Sequence, residues 1–344
     1  MQRRAAVVIM VIALALGLAV GQALAQTIGV DYGPYHKPGQ APGFNIPDAQ
    51  FISDLRTIAT KFGYVKTYGS DPVLARIVPL IQANSIPLKV AVGIFESSAN
   101  RDAPDGTNAQ IAAAIAIAQN PLYAGIVNMV VVGNECIAGP GWSSTPNPVP
   151  VSTLIADLNT VKAALPGVTV TTDLTYQAGL DLNGPLSSLL PVIDNVMVNI
   201  YPFYGQVAID GALANLTNAY GLFSGHGKPV WVGETGWPSA GAQNGAAIPS
   251  VPNEQKFTSD VLGADLPYAG IYLFEAFDEL WKTDNSWEQH WGLWDQNGIA
   301  KFNIGAPPTN SVPIPGSLLL LGSGLLGLVP FRYALGRLRS SRQV

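Results

Sequence analysis

The stretch VVVGNEC, residues 130–136, carries an apolar, mostly β-branched run directly into Asn134 and Glu135. Residues 229–239, PVWVGETGWPS, repeat this arrangement about a hundred positions later, with Glu234 after a second apolar run. A wholly apolar strand that ends on a carboxylate is typical of a buried parallel sheet whose strand ends line a site. The two segments therefore raise the question of whether both glutamates belong to one site.

Apolar runs of this kind recur at intervals of roughly 25 to 40 residues, the size of a βα unit. The eight runs are residues 27–33, 64–69, 87–94, 126–135, 168–174, 196–203, 229–236 and 270–277. Segments with helical character lie between them, such as residues 48–62, 108–119, 152–165 and 254–262. Apolar strands that alternate with helices predict a parallel sheet covered on both sides. Eight such units predict an α/β fold, a (β/α)8 TIM barrel that forms one domain over residues 26–308.

The position of the two glutamates in this pattern predicts a chemistry. Glu135 ends the fourth predicted strand and Glu234 the seventh, so they meet across the mouth of the barrel. Two carboxyls about 5 Å apart suit a retaining glycosidase, in which one attacks the anomeric carbon and the other protonates the departing oxygen. A wider separation would suit inversion. Either reaction requires different environments for the two acids, so that they differ in protonation at one pH.

Three motifs in order resemble glycoside hydrolase family 17, the β-1,3-glucanases and related glucosyltransferases. They are VVGNE at 131–135, VGETGWPS at 232–239, and FEAFDELWK at 274–282 followed by EQHWGLW at 288–294. The resemblance covers about residues 27–303. It implies a retaining mechanism on a β-glucan polysaccharide or oligosaccharide, with Glu135 as acid/base and Glu234 as nucleophile.

The same resemblance implies sugar contacts by other side chains at the mouth. Asn134 is expected to hydrogen-bond the 2-hydroxyl of the sugar. The other candidates are Tyr32, Tyr68 and Tyr201 at strand ends, Phe203, Trp237 and Trp287 as stacking surfaces, and a charged cluster of Glu275, Glu279, Lys282 and Glu288. Within this cluster, Lys282 is expected to hold the orientation of the acids. The alternative is that the tyrosines pack at the rim, the other rings belong to the core, and the cluster is scaffold.

Composition restricts the class of ligand. Residues 1–25 and 309–344 contain six arginines and no acids, so residues 26–308 carry 12 basic and 23 acidic residues, a net charge of −11. Such a body is not expected to bind nucleic acid, whereas its seven tryptophans offer flat faces on which sugar rings stack. Cys136 is the single cysteine and allows no internal disulfide. The three histidines lack the spacing of a metal site, and we expect neither a metal nor a cofactor.

Both ends of the chain have the pattern of targeting segments. Residues 1–25 combine early arginines, an apolar run and an Ala-Leu-Ala ending, which predicts a signal peptide, with a retained anchor as the alternative. Residues 317–335 are apolar enough to cross a bilayer, and three further arginines follow them. With the preceding VPIPGS, residues 309–344 resemble the linker and PEP-CTERM sorting tail of exported proteins of Gram-negative bacteria. That resemblance implies an exosortase-type processing partner and delivery to the cell surface, outer membrane or polysaccharide matrix, with a plain C-terminal membrane anchor as the alternative.

The sequence as a whole favours an exported enzyme that hydrolyses β-1,3-linked glucan by double displacement at Glu135 and Glu234. A close alternative keeps this mechanism but passes the glycosyl unit to a second sugar, which would make the protein a transglycosylase. Another alternative is a non-catalytic, glycan-binding surface protein. A barrel that uses its acids as metal ligands is the remaining one, and the histidines do not favour it.

Overall fold

A computed structural model describes residues 27–305 except 181–183, 265 and 267. The predicted signal peptide, residues 1–25, and the predicted linker and sorting tail, residues 309–344, lie outside the described residues. Within the described part of the chain, no helix combines the length and the apolar character that a membrane span requires.

Eight parallel strands close into a barrel in which each strand pairs with the next along the chain and β1 pairs with β8. The strands are β1 (Thr27–Asp31), β2 (Tyr64–Lys66), β3 (Lys89–Ile94), β4 (Val127–Asn134), β5 (Thr169–Leu174), β6 (Val196–Val198), β7 (Val230–Thr235) and β8 (Gly270–Leu273). Helices alternate with the strands. The prediction of a (β/α)8 TIM barrel from eight apolar runs is confirmed.

The helices follow the strands as crossover connections, which is the arrangement that parallel pairing requires. They are α1 (Asp48–Ala59), α2 (Ile77–Ala83), α3 (Thr107–Gln119), α4 (Val151–Ala164), α5 (Tyr176–Leu180), α6 (Pro185–Leu189), α7 (Ile209–Gly221) and α8 (Val251–Gly263). Short 3-10 turns at Leu74–Arg76 and Pro121–Tyr123 precede α2 and β4. The four helical segments quoted from the sequence correspond to α1, α3, α4 and α8.

Both faces of the strands are buried. Alternate residues, such as Val130 and Val132 of β4, belong to the large core between the strands and the helices. The residues between them, such as Met129 and Val131, belong to a second cluster inside the barrel. This inner cluster consists of Ala91, Met129, Val131, Met197 and Tyr272, with Tyr64 and Trp231 packed against it. It fills the barrel below the mouth, so the site lies on a solid floor rather than over a pore.

The strands β6 and β8 are shorter than the sequence predicts. Their ladders end at Val198 and Leu273, five and four residues before the apolar pattern ends. Beyond these points the backbone makes single hydrogen bonds to neighbouring strands, as where the Asn199 amide donates to the Leu174 carbonyl at 2.9 Å. Residues that follow the ladder belong to the rim, and strand alternation no longer determines which way their side chains point.

The close packing inside the barrel yields a testable prediction for Gly29. This residue of β1 is paired in register with Tyr272 of β8, and a Cβ atom at Gly29 would lie 2.6 Å from the Tyr272 ring and 2.9 Å from the Tyr64 carbonyl oxygen. Gly29→Ala should therefore lower the free energy of unfolding by about 1–3 kcal/mol in urea denaturation, because the strand and the ring must move apart.

Gly221→Ala is the matched control for this experiment. Gly221 ends α7, and an added Cβ atom would meet no heavy atom within 4 Å. Alanine lowers the conformational entropy of the unfolded chain, so this variant should be as stable as the wild type or up to about 1 kcal/mol more stable. Equal stability of the two variants would contradict the packing described for the barrel interior.

Candidate active site

A groove of about 1440 Å³ opens at the carboxyl end of the barrel. Its walls are formed by loops after β1, β2, β3, β4, β5, β6 and β8, and β7 contributes Glu234. Glu135 and Asn134 line the same groove, as do Tyr68 and Tyr201. The structure thus brings both predicted catalytic glutamates to one concave surface, together with six of the predicted sugar-binding residues: Tyr68, Asn134, Tyr201, Glu279, Lys282 and Glu288.

Glu135 lies immediately after β4 with a backbone φ of +48°, a conformation that non-glycine residues seldom adopt. Its backbone is fixed on both sides: the amide donates to the Asp173 carbonyl at 2.9 Å, and the carbonyl accepts from the Ser144 amide at 3.0 Å. The Asn199 amide nitrogen donates to Oε1 at 2.9 Å. Burial raises the pKa of the Glu135 carboxyl, and the nearby charge of Glu234 raises it further. The surroundings therefore favour a Glu135 that keeps its proton.

Glu234 lies within β7 and is almost fully buried, with 5% of its surface exposed. Each of its carboxyl oxygens has a donor. The Tyr201 hydroxyl donates to Oε2 at 2.7 Å, and the Lys66 ammonium donates to Oε1 at 3.3 Å. Hydrogen bonds from a phenol or an ammonium are stronger to an ionised carboxylate than to a neutral carboxyl. Glu135 and Glu234 thus have a neutral amide donor and a cationic donor, respectively, and this difference is what two carboxyls with separate tasks require.

The floor of the groove is a buried charged network that centres on Lys66. Its ammonium lies 2.6 Å from Asp173 Oδ2, 3.4 Å from Asp31 Oδ1 and 3.3 Å from Glu234 Oε1. Burial by itself would lower the pKa of Lys66, but the three carboxyls outweigh it and raise that pKa well above its usual value. The lysine is therefore a permanent cation beneath the site.

The network contains more carboxyls than cations. This excess of acidic groups affects the protonation of its two aspartates. Burial, with the charge of Glu234 as a further contribution, raises the pKa of Asp31 well above its usual range and that of Asp173 to about 7. Gly233 makes room for the Asp173 carboxyl, since a Cβ atom there would lie 2.1 Å and 2.2 Å from the two carboxyl oxygens. Asp31, Lys66 and Asp173 are not among the predicted site residues, although each is a charged residue at or next to the end of its strand.

The three predicted tyrosines have different surroundings. Tyr201 contacts Glu234 directly, and the Tyr68 hydroxyl, which is buried, has no hydrogen-bond partner among the described residues. Tyr68 lines the groove. The prediction for Tyr32 is wrong. Its hydroxyl donates to Asp54 on α1 at 2.9 Å, and its side chain is fully buried outside the groove lining.

The predicted stacking surfaces are also corrected by the structure. Phe203 and Trp237 have 0% and 1% of their surface exposed and pack against each other in the core, so neither presents a ring face to a ligand. Trp287 packs on Phe203 and donates its indole N–H to Glu288 at 3.1 Å, outside the groove lining. The exposed rings that do line the groove were not predicted: Phe95, Tyr204 and Trp281. Clustered aromatic residues in loops carry no periodicity that would separate outward rings from core rings.

Three of the four residues predicted to form a charged cluster lie together in the structure. The Lys282 ammonium lies 2.8 Å from carboxyl oxygens of both Glu275 and Glu279, and Glu279 and Lys282 line the groove. Glu288 does not join them. It accepts instead from the Tyr204 hydroxyl at 2.7 Å, which links the β6 and β8 loops at the rim of the groove. Within the described residues, no group of three or more His, Cys, Asp or Glu side chains has the arrangement of a metal site.

Comparison with known proteins relates this site to a family. Residues 29–292 match the BtgE/BtgC glycoside hydrolase domain. The probable family 17 glucosidase SCW10 of Saccharomyces cerevisiae is 29% identical over 254 residues, which cover 71% of this chain and 60% of that protein. The cell surface mannoprotein MP65 of Candida albicans is 28% identical over 255 residues, which cover 72% of this chain and 62% of that protein. The putative glucan endo-1,3-beta-glucosidase btgC of Aspergillus niger is 28% identical, with 74% of this chain and 39% of that protein aligned. The chain thus spans between 39% and 62% of the length of these relatives.

Solved structures share the fold. The glycoside hydrolase family 17 β-1,3-glucanosyltransferase from Rhizomucor miehei superposes with a TM-score of 0.64 at 22% identity, over 82% of this chain and 98% of that one. The β-1,3-glucanase and pollen allergen CJP38 of Cryptomeria japonica gives a TM-score of 0.59 at 18% identity, over 81% of this chain and 98% of that one. At such identities the likeness concerns the fold alone.

The raised pKa values of the buried acids predict how stability depends on pH. Asp173 and Glu96 both have a pKa raised to about 7, chiefly by burial. In the unfolded chain such groups lose their protons near pH 4, so the folded state binds more protons between about pH 4 and pH 7. The free energy of unfolding should therefore fall as pH rises through this window and level off above it.

Urea denaturation at half-unit steps of pH would measure this slope. Glu96→Gln keeps a polar partner for Arg101, which lies 2.9 Å from Glu96, but removes its titration. Its slope between about pH 4 and pH 7 should be shallower than that of the wild type, by up to about 1.4 kcal/mol per pH unit. A wild-type stability that rises with pH throughout this window would contradict the assignment.

Proposed function

Because the chain belongs to the BtgE/BtgC glycoside hydrolase family, a family 17-type domain, we propose that it cleaves β-1,3-glucosidic bonds of glucan through a covalent glycosyl-enzyme intermediate. The observation that carries this proposal is the contrast between two carboxyls on one groove. Glu135 lies near enough to Glu234 for the charge of Glu234 to raise the pKa of Glu135, and Glu234 is held by a phenol and an ammonium. Such a pair suits double displacement.

In the first step, an ionised Glu234 oxygen attacks the anomeric carbon while Glu135 gives its proton to the departing glycosidic oxygen. The carbon–oxygen bond to the leaving sugar breaks, and an ester between Glu234 and the glycosyl unit forms. In the second step, Glu135 accepts a proton from water, whose oxygen displaces Glu234. Loss of the Glu234 charge in the ester removes one of the causes that raise the pKa of Glu135, which suits its change from acid to base.

Glucan as the substrate is supported by what the relatives are named for and by the shape of the site. The btgC relative is named for endo-1,3-glucan cleavage, and a Rhizomucor miehei structure of the same fold is described in complex with laminaritriose. We propose that Asn134, Tyr68, Tyr201, Glu279 and Lys282 contact the sugar, since all five line the groove. The exposed groove ring of Trp281 is a stacking surface that suits a sugar ring.

Transfer to a second sugar is the alternative that a specific observation favours. The Rhizomucor miehei structures, with a TM-score of 0.64, are of a glucanosyltransferase. In such a reaction the hydroxyl of an acceptor sugar replaces water in the second step, and Glu135 deprotonates that hydroxyl instead. The groove extends over loops on both sides of the two glutamates, which leaves room for an acceptor beside the glycosyl-enzyme.

We also propose that the enzyme works outside the cytoplasm as residues 26–308, after removal of residues 1–25. The surface location in the name of the MP65 relative supports export. Residues 309–344 would act as a PEP-CTERM-like sorting tail that an exosortase-type enzyme recognises at the membrane. The destination would be the cell surface, outer membrane or matrix of a Gram-negative bacterium.

Substitution of the two glutamates tests the proposed function. Glu234→Gln should lower the release of reducing sugar from linear β-1,3-glucan by at least ~10⁴-fold, and Glu135→Gln should lower it by ~10²–10⁴-fold, because the nucleophile has no substitute and the acid supplies one proton transfer. Glu254→Gln is the matched control. Glu254 is a buried glutamate on α8 outside the groove lining, so this variant should keep its activity.

Product analysis separates the candidate functions. Incubation of the wild type with laminari-oligosaccharides should give products shorter than the substrate if water is the acceptor, and also longer ones if sugar is. A protein that binds these oligosaccharides but releases no reducing sugar would be a glycan-binding protein, and the proposed function would be wrong.

A further inference from the structure

Lys66 lies where residues from four other strands converge. Its ammonium contacts Asp31 of β1, Asn134 of β4, Asp173 of β5 and Glu234 of β7, at distances between 2.6 and 3.4 Å. Only 1% of the lysine is exposed, although it lies beneath an open groove. A side chain that touches two groove residues from below, without reaching the groove itself, can act on a ligand only through those residues.

The first of these residues is Asn134. Its Oδ1 atom accepts from the Lys66 ammonium at 3.2 Å, and an ammonium has only donors to offer. The carbonyl end of the amide must therefore face Lys66, which turns the amide nitrogen towards the groove that Asn134 lines. An Asn134 in this orientation donates to an acceptor oxygen of the bound sugar.

The second residue is Glu234. Lys66 and Tyr201 each hold one of its two carboxyl oxygens, which fixes the plane of the carboxyl.

We propose that Lys66 is a positioning residue of the reaction, which keeps the Glu234 carboxyl oriented and turns the Asn134 amide nitrogen towards the sugar. This inference rests on the proposed function. It also accounts for the closest contact in the network, the 2.6 Å between Lys66 and Asp173. Once Glu234 becomes a neutral ester, Asp173 remains as a partner, so the ammonium is not left as an unpaired buried charge in the intermediate.

The decisive variant is Lys66→Met, read by steady-state kinetics on laminari-oligosaccharides. We expect kcat to fall on the order of 100-fold, as for loss of one preorganised donor at a reacting centre, with a much smaller change in KM. Asn134→Ala should cost less in the Lys66→Met background than in the wild type, since the two residues act as a unit.

Lys301→Met is the matched control. Lys301 is a largely buried lysine, 9% exposed at its side chain, and it pairs with Asp278 at 2.7 Å outside the groove lining. Its replacement should lower the melting temperature but leave kcat near the wild-type value. A Lys66→Met enzyme with wild-type kcat would overturn the inference, and so would an equal loss of kcat in Lys301→Met.

Lys66→Arg keeps the inference testable if Lys66→Met does not fold. It retains the charge, but its planar guanidinium cannot reproduce the contacts of an ammonium, so kcat should fall ~10-fold. A wild-type kcat in this variant would overturn the positioning role. Failure of the proposed function is recognised separately, because the wild type itself would then release no reducing sugar from any β-glucan.

Discussion

The pairing of β1 with β8 closes a sheet in which every strand runs in the same direction, and the site depends on this closure. Parallel strands place all of their carboxyl ends at one mouth, so residues that lie far apart in sequence converge there. Glu135 and Glu234 are brought together in this way from β4 and β7. An open sheet would have kept β1 and β8 apart, and with them Asp31 and the Glu279–Lys282 pair of the β8 loop.

An apolar layer and a charged layer fill the barrel, one above the other. The electrostatics of the site follow from their contact. The lower layer is apolar, with Met129, Met197 and Tyr272 among its members. Directly above it, Asp31, Lys66 and Asp173 are each no more than 1% exposed. The apolar layer excludes water from below, so these groups depend on one another and on Asn134 and Glu234 for polar contacts, and their protonation is coupled. The raised pKa of Asp173 is a consequence of this position.

The barrel and the two central glutamates could be predicted from the sequence because both follow from local patterns. Apolar strands at regular spacing specify parallel strands, and a carboxylate at a strand end then has a defined location. Tyr32 was predicted to face the site but bonds to Asp54, because the direction of a side chain just beyond a strand depends on the helix packed beside it. Phe203 and Trp237 were misassigned for a similar reason, since loop residues have no period.

Lys66 shows that part of the missed information was present in the sequence. It is a lysine within an apolar strand, and a buried cation is stable only beside carboxyls, so its presence alone implied acidic partners at neighbouring strand ends. Asp31 and Asp173 stand at such positions in their own strands. What the sequence could not supply was the register that decides which carboxyl lies nearest. In the structure the Lys66 ammonium lies closest to Asp173, at 2.6 Å, and farther from Asp31 and Glu234, at 3.4 and 3.3 Å. Glu234 therefore faces the groove while Asp173 is the main partner of the lysine.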